Sequence, residues 1–302
     1  MSDTTLRLPL LPGAKQGPLT ARACGYWRTV GRRLSRDYVT LFFALVISII
    51  ALAAVLAPLV APYDPNATSM IHRLKPIGYK SFILGTDELG RDIYGRLLFG
   101  SRITLYIACL TATIAAPLGL LVGTTAGYVG GVVDIVLMRI VDVFLAFPSL
   151  ILALAFVAAL GPGIENAIIA ISFAAWPPIA RLARAETLSI RKSDYIAAVR
   201  LQGASPLRII LRHVVPMCIP SVVVRITLNM ATIILAAAGL GFLGLGAQPP
   251  SPEWGAMLAS AREFIMTNGW IAAIPGSAIL IVSLAFNLFG DGLRDILDPR
   301  HG

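Results

Sequence analysis

The sequence predicts an all-α integral membrane protein with six transmembrane helices and both termini on the cytoplasmic side. Three observations predict it. Of 302 residues, 57% are hydrophobic and only 14% are charged, where soluble domains carry about 25% charged residues. Six apolar stretches approach the roughly 20 residues needed to cross a hydrocarbon core of about 30 Å. Lysine and arginine fall mainly in alternate connecting segments. Mean hydropathy is +0.78, which excludes extended disorder over most of the length.

Residues 1–38 form a basic polar tail with seven Lys and Arg. The first span follows at 39–61. It is too long for the apolar core of a signal peptide, so it reads as an uncleaved helix. Residues 62–101 are a mixed polar loop on the outer side, in which 93–98 are expected as a short amphipathic helix at the interface. The second span is 103–126 and the third 133–160. The fourth, 167–180, is short, and Trp176-Pro177-Pro178 is expected to bend or end it. The fifth is 222–245 and the sixth 271–289. A five-helix core at 102–290 thus contains a long loop at 181–218, and 291–302 form the C-terminal tail. The long outer loop places span one apart from the other five.

With the N-terminus inside, the inner segments hold 16 of the 25 Lys and Arg residues, and the outer ones seven. The positive-inside rule fixes that orientation. It also accounts for the net charge of +9, so the basic balance is not a nucleic-acid signal. Cys24, Cys109 and Cys218 are far apart and read as free thiols, and the histidines are equally scattered, so no metal site is expected. None of the four lysines follows a glycine, which removes a phosphate-cradling P-loop. With no GxSxG, HExxH or paired-carboxylate site either, no catalytic residue and no enzymatic activity are assigned to this chain.

Gly119, Gly123 and Gly127 recur every four residues in span two and give one smooth helix face for close packing. Arg139, Asp142 and Asn287 are polar groups at membrane depth, which makes them functional candidates by default. Asp134 lies near the water boundary. Arg139 and Asp142 are three residues apart and are expected to pair on one helix face. Arg225 lies near the inner end of span five and can snorkel, and Asn287 is expected to bond between helices. Gln248, Glu253 and Trp254 belong to the outer loop, with Trp254 a candidate interfacial anchor.

The 181–218 loop carries the densest pattern. Ala197, Ala198 and Leu201 share a helical face, Gly203 stops that helix, and Pro206 opens another. This helix–turn–helix presents Asp194, Tyr195, Ala197, Ala198, Gly203, Ala204 and Ser205. Its small apolar face suits insertion into a partner's groove; a basic interfacial loop without a partner is the alternative.

Here the sequence resembles the permease subunits of ATP-binding-cassette importers of the dipeptide, oligopeptide and nickel group. The family signature is Glu-Ala-Ala, three residues, then Gly; this chain has Ala197-Ala198-Val199, three residues, then Gly203. Gly85-Thr86-Asp87-Glu88-Leu89-Gly90-Arg91-Asp92 looks like the same family. So do Gly127-Tyr128-Val129-Gly130-Gly131, Gly241-Phe242-Leu243-Gly244-Leu245-Gly246-Ala247-Gln248-Pro249-Pro250, Glu253-Trp254-Gly255 and the run from Gly290 to Arg300.

The resemblance implies a type I ABC importer permease in the bacterial inner membrane. It implies a homologous second permease as partner in the pore, two ABC ATPase subunits, an extracytoplasmic substrate-binding protein and surrounding lipid. ATP and Mg would be used by the ATPases, with no cofactor bound by this chain. Residues 194–206 would be the coupling element. Di- or oligopeptides are the expected cargo, with nickel, a metal chelate or glutathione as alternatives. An ion-driven secondary transporter would need mid-membrane carboxylates, for which Asp142 is the only candidate. A scaffold with no path is the third class.

Overall fold

The computed structural model describes residues 37–297. The basic tail and the last residues, with Cys24 and His301, lie outside the described residues. The chain is helical, with five helices long and apolar enough to cross a membrane and a bent pair that makes a sixth span. Its order is α1 (Tyr38–Val60), α2 (Ile93–Val129), α3 (Gly131–Leu145), α4 (Ser149–Leu160), α5 (Ile164–Ile190), α6 (Asp194–Leu201), α7 (Pro206–Phe242), α8 (Trp254–Ala261) and α9 (Trp270–Leu297).

Helix α1 starts at Asp37, whose carboxylate accepts from the Val39 and Thr40 amides and caps two free N–H groups. It does not stand apart as expected. Thr40, Ala54 and Ala57 are buried, and α1 packs on α2 and α9. Gly292 of α9 is the contact point, because a Cβ there would overlap Thr40. The remaining faces expose Phe42, Leu45, Val55 and Leu59, as befits a lipid-facing helix.

Residues 93–98 are not a separate surface helix. They are the first turns of α2, which has 37 residues and is therefore about 55 Å long at 1.5 Å per residue. The Asp92 carboxylate caps it by accepting from the Tyr94 and Gly95 amides. Local propensity suggested a short element, but α2 packs along most of its length and the helix runs on.

The third span is two helices rather than one. The chain breaks at Ala146-Phe147-Pro148, and α3 and α4 meet at 91°. Proline disfavours helical backbone at the residue before it, which places the break at Phe147.

The fourth span is longer than expected. Helix α5 runs through Pro177 and Pro178 to Ile190. Proline removes a helical hydrogen bond, but tight packing sustains the helix here: Trp176, Pro177, Ile179, Ala180 and Ala183 are all buried. Membrane helices tolerate such breaks where neighbours enclose them.

The main core joins α2, α4, α5, α7, α8 and α9 through Ile107, Val157, Ile171, Ile234, Leu240 and Val282. A second cluster joins α2 and α5 around Trp176 and Ile179. One end of the bundle carries 61–92 and 243–269; the other carries α6. At the α6 end, α7 widens to π geometry over Ile210–Val214, just before Pro216, which lacks the N–H for the next regular bond.

Candidate functional site

The α6 hairpin is built by local chemistry. The Ser193 hydroxyl caps α6 by accepting from the Ile196 amide. Gly203 has φ +79°, a left-handed conformation that costs an L side chain about 1–2 kcal/mol. The Ala204 N–H then donates to Val199 O and the Gly203 N–H to Arg200 O. These paired bonds are a Schellman motif, which satisfies the last carbonyls of a helix. The Ser205 hydroxyl accepts from the Arg208 amide, and Pro206 opens α7.

The hairpin has two unlike faces. Ile196 and Val199 point inward and pack with Tyr128, Ile209, Ile210 and Val214. Asp194, Ala197, Ala198 and Leu201, at helical spacing on the opposite face, are all exposed, with Leu201 at 90%. Tyr195, Gly203 and Ser205 are exposed as well, and Ala204 is half-buried.

Polar contacts fix the hairpin to two long helices. The Arg191 guanidinium donates to the Gly127 and Tyr128 carbonyls at the end of α2, at 3.2 and 3.1 Å. Arg200 Nε donates to Tyr128 Oη at 3.1 Å, and its guanidinium lies 5.0 Å from that ring. Tyr195 Oη meets His213 Nδ1 of α7 at 2.7 Å. These bonds join α6 to α2 and α7. Sequence reasoning missed Arg191, Arg200, Tyr128 and His213, because each contact joins residues far apart in the chain.

The three glycines of α2 face α5. A Cβ at Gly119 would sit 2.7 Å from the Trp176 carbonyl oxygen, and one at Gly127 2.8 Å from Thr187 Cβ. One at Gly123 would overlap the Ala180 carbonyl oxygen. Ion pairs extend this contact to α3. Arg184 grips Asp134 with two bonds of 2.5 and 2.6 Å.

The expected Arg139–Asp142 pair is not formed. Asp142 instead meets Arg181 of α5 at 2.7 Å, and Arg139 is exposed. Helical spacing allows a local pair, but the neighbouring helix presents a guanidinium directly. Asn287 is likewise exposed, with no interhelical hydrogen bond among the described residues.

The opposite end is held by a charged knot that reads as plain loop in the sequence. Asp87 Oδ2 accepts from Arg91 Nε at 2.6 Å and lies 3.6 Å from Arg96 Nε. Arg96 also donates to the Pro65 and Pro250 carbonyls, so one side chain ties 61–92 to the loop before α8. Trp254 is no surface anchor. It is 3% exposed, and its indole N–H donates to Leu97 O at 3.0 Å. Buried tryptophan finds a partner for its N–H, and here α2 supplies one.

Glu253 beside it is 1% exposed. Its carboxylate caps α8, accepting from the Gly255 and Ala256 amides at 2.8 Å each. Burial pushes this carboxyl up to about 7, against those two bonds, which favour its charged form. The folded protein therefore holds the proton more tightly than the unfolded chain, whose reference value is 4.5. The resulting stability is fully present below that reference value and is lost as pH rises through about 7. Glu253→Gln is expected to flatten the fall in melting temperature between about pH 5 and pH 8. An unchanged pH profile of melting in that variant would remove Glu253 as its source.

Comparison with known proteins fits this geometry. Residues 115–301 match the family described as binding-protein-dependent transport system inner membrane component. Residues 25–76 match the N-terminal TM domain of oligopeptide transport permease C. The di/tripeptide transport system permease protein DppC of Pseudomonas aeruginosa (strain UCBPP-PA14) is 46% identical, over 85% of this chain and 86% of that protein. The probable D,D-dipeptide transport system permease protein DdpC of Escherichia coli K12 is 42% identical, over 87% and 88%. The glutathione transport system permease protein GsiD of Pectobacterium atrosepticum is 40% identical, over 91% of each chain. A solved inward-facing structure of the MetNI methionine ABC transporter superposes with a TM-score of 0.55 at 22% identity, covering 67% of this chain and 97% of that one. Membership of this family implies an ATPase and a binding protein as partners. The chain belongs to the binding-protein-dependent transport system inner membrane components, as a multi-pass permease subunit of the OppC/DppC type that is not itself an enzyme.

Proposed function

We propose that this chain forms half of the pore of an importer for di- and oligopeptides, with a homologous permease as the other half. Two ATPases supply the energy, one docking on the 194–206 hairpin of each permease, and both termini face the cytoplasm with them. The observation that carries this reading is the exposed stripe Asp194, Ala197, Ala198 and Leu201, on a hairpin bonded to α2 and α7. A small apolar ridge enters a groove closely, and the bonds behind it convert groove movement into helix movement. The relatives that transport di/tripeptides and D,D-dipeptides support peptide as cargo. Glutathione is the second reading, favoured by the glutathione permease at 40% identity.

The chain has alanine at position 197 where the family signature has glutamate. In this reading, shape and turn geometry carry the coupling. Gly203→Val is then expected to uncouple the importer, because a β-branched residue resists the φ of +79°. Uptake of a radiolabelled dipeptide should fall at least tenfold while the assembled complex still hydrolyses ATP. Gly203→Asn should be milder, since asparagine tolerates left-handed backbone. Wild-type uptake by the valine variant would refute the coupling role.

A further inference from the structure

Two cavities meet at one side chain. The larger, about 430 Å³, lies among α5, α7 and α9 near the α6 end, with Glu186, Ser221, Arg225 and Arg294 in its wall. It falls in the roughly 300–1,000 Å³ range of small-molecule sites. The smaller, about 200 Å³, lies among α4, α5 and α7, and Ser149, Arg225, Asn229 and Thr232 contribute its polar groups. Arg225 lines both. On α7, Ser221, Arg225, Asn229 and Thr232 recur at spacings of four, four and three, so they share one face. This is a polar stripe on a helix that is otherwise largely apolar.

Arg225 stands 17 positions before Phe242, the far end of α7, a separation of about 26 Å along the helix. That places it toward the α6 side of a hydrocarbon core about 30 Å thick. Its Nε is buried and has no hydrogen-bond partner among the described residues, and its guanidinium forms no ion pair among them. The neighbouring cations differ: Arg181 is paired with Asp142 and Arg184 with Asp134. The side chain as a whole is half-buried; leaving its buried Nε donor unpaired costs free energy, and ionisable groups within membrane spans are candidates for transport paths. A carboxylate matches the guanidinium fork in charge and in shape.

We propose that Arg225 binds the C-terminal carboxylate of a peptide in transit between the two cavities, with Glu186 in the larger one receiving the α-ammonium group. This rests on the peptide reading above and deepens it. Asn229 and Thr232 offer amide and hydroxyl groups to the peptide bond while the chain end is still in the smaller cavity. The cavity charges, two guanidinium groups and one carboxylate, complement a zwitterion with a slight preference for its anionic end. A free anion or a lipid phosphate would also satisfy Arg225, and the test separates these sources.

The experiment uses the complete importer in two formats. In the first, the detergent-purified complex of permeases and ATPases, without binding protein, is illuminated with a dipeptide bearing a diazirine in its C-terminal side chain. Adducts are mapped by mass spectrometry. Labelling is expected within 221–236 of α7, and the C-terminal amide of the same probe should label at least tenfold less. Arg225→Gln should lose the label to the same degree, and Arg225→Lys should retain part of it. Equal labelling by acid and amide on the wild-type complex overturns the proposal without any variant. So does competition by inorganic phosphate or an anionic lipid with none by unlabelled dipeptide. In the second format, proteoliposomes with the binding protein take up radiolabelled dipeptide. If the wild type transports and Arg225→Gln matches it, the site is wrong and the peptide reading stands. If the wild type binds and transports no peptide, the peptide reading fails and the site fails with it.

Discussion

Leu201→Asp is expected to weaken ATPase binding to the permease by on the order of 10- to 100-fold and to lower uptake in proportion. Leu201 is 90% exposed on the free permease, so the change should leave the fold of this chain intact. Burying a leucine in a partner contributes about 1.5–3 kcal/mol, and each 1.4 kcal/mol is about tenfold in affinity. An aspartate in an apolar groove adds a desolvation cost. Copurification of the ATPases with tagged permease measures the effect. Met266→Asp is the control, at a residue 95% exposed at the opposite end of the bundle, and should leave copurification unchanged. If both variants bound the ATPases at wild-type strength, the exposed stripe would not be the docking ridge.

Gly123→Ile should produce a large loss of stability. The added Cβ would overlap the Ala180 carbonyl oxygen and lie 2.8 Å from Ala183 Cβ. The nearest atom belongs to the backbone of α5, so no side-chain rotation relieves the overlap, and α2 and α5 must separate. Overpacking costs typically about 1–3 kcal/mol, and here it also displaces the Arg184 grip on Asp134. At roughly 2–4 °C per kcal/mol for a chain of this order, the melting temperature of the purified complex should drop by several degrees. Gly123→Ala should fall between wild type and the isoleucine variant. Melting unchanged in both would mean that the α2–α5 contact is looser than this geometry requires.

What the sequence made legible was local. Hydropathy located the spans because each crossing needs its own apolar run; five runs fall on single long helices, and the third falls on a bent pair. The hairpin was readable because its signals sit within ten residues: Ala197, Ala198 and Leu201 at helical spacing, Gly203 as turn and Pro206 as restart. The Gly119, Gly123 and Gly127 stripe was visible as a close-packing face, but α5 as its neighbour was not. The misreadings came from tertiary context. Pro177 and Pro178 suggested an end to α5, and burial against α2 carried the helix past them. Phe147-Pro148 did signal a break, inside an apolar run that masked it. Asp142 chose Arg181, thirty-nine residues away, over a neighbour at helical spacing. Trp254 and Glu253 looked like outer-loop surface and are buried, because Gly100 of α2 and Gly241 of α7 let those helices close over them.

Cysteine crosslinking tests most directly whether the ATPase sits on the exposed face of α6, as proposed. With Cys24, Cys109 and Cys218 replaced by alanine, Ala198→Cys is paired in turn with cysteines placed along the groove of the ATPase, and a short bismaleimide is added to the assembled complex. The account predicts a permease–ATPase crosslink from position 198 whose yield changes when ATP is bound, and none from a Met266→Cys control at the opposite end. A complex that transports normally yet gives no crosslink from position 198 to any groove position would contradict it.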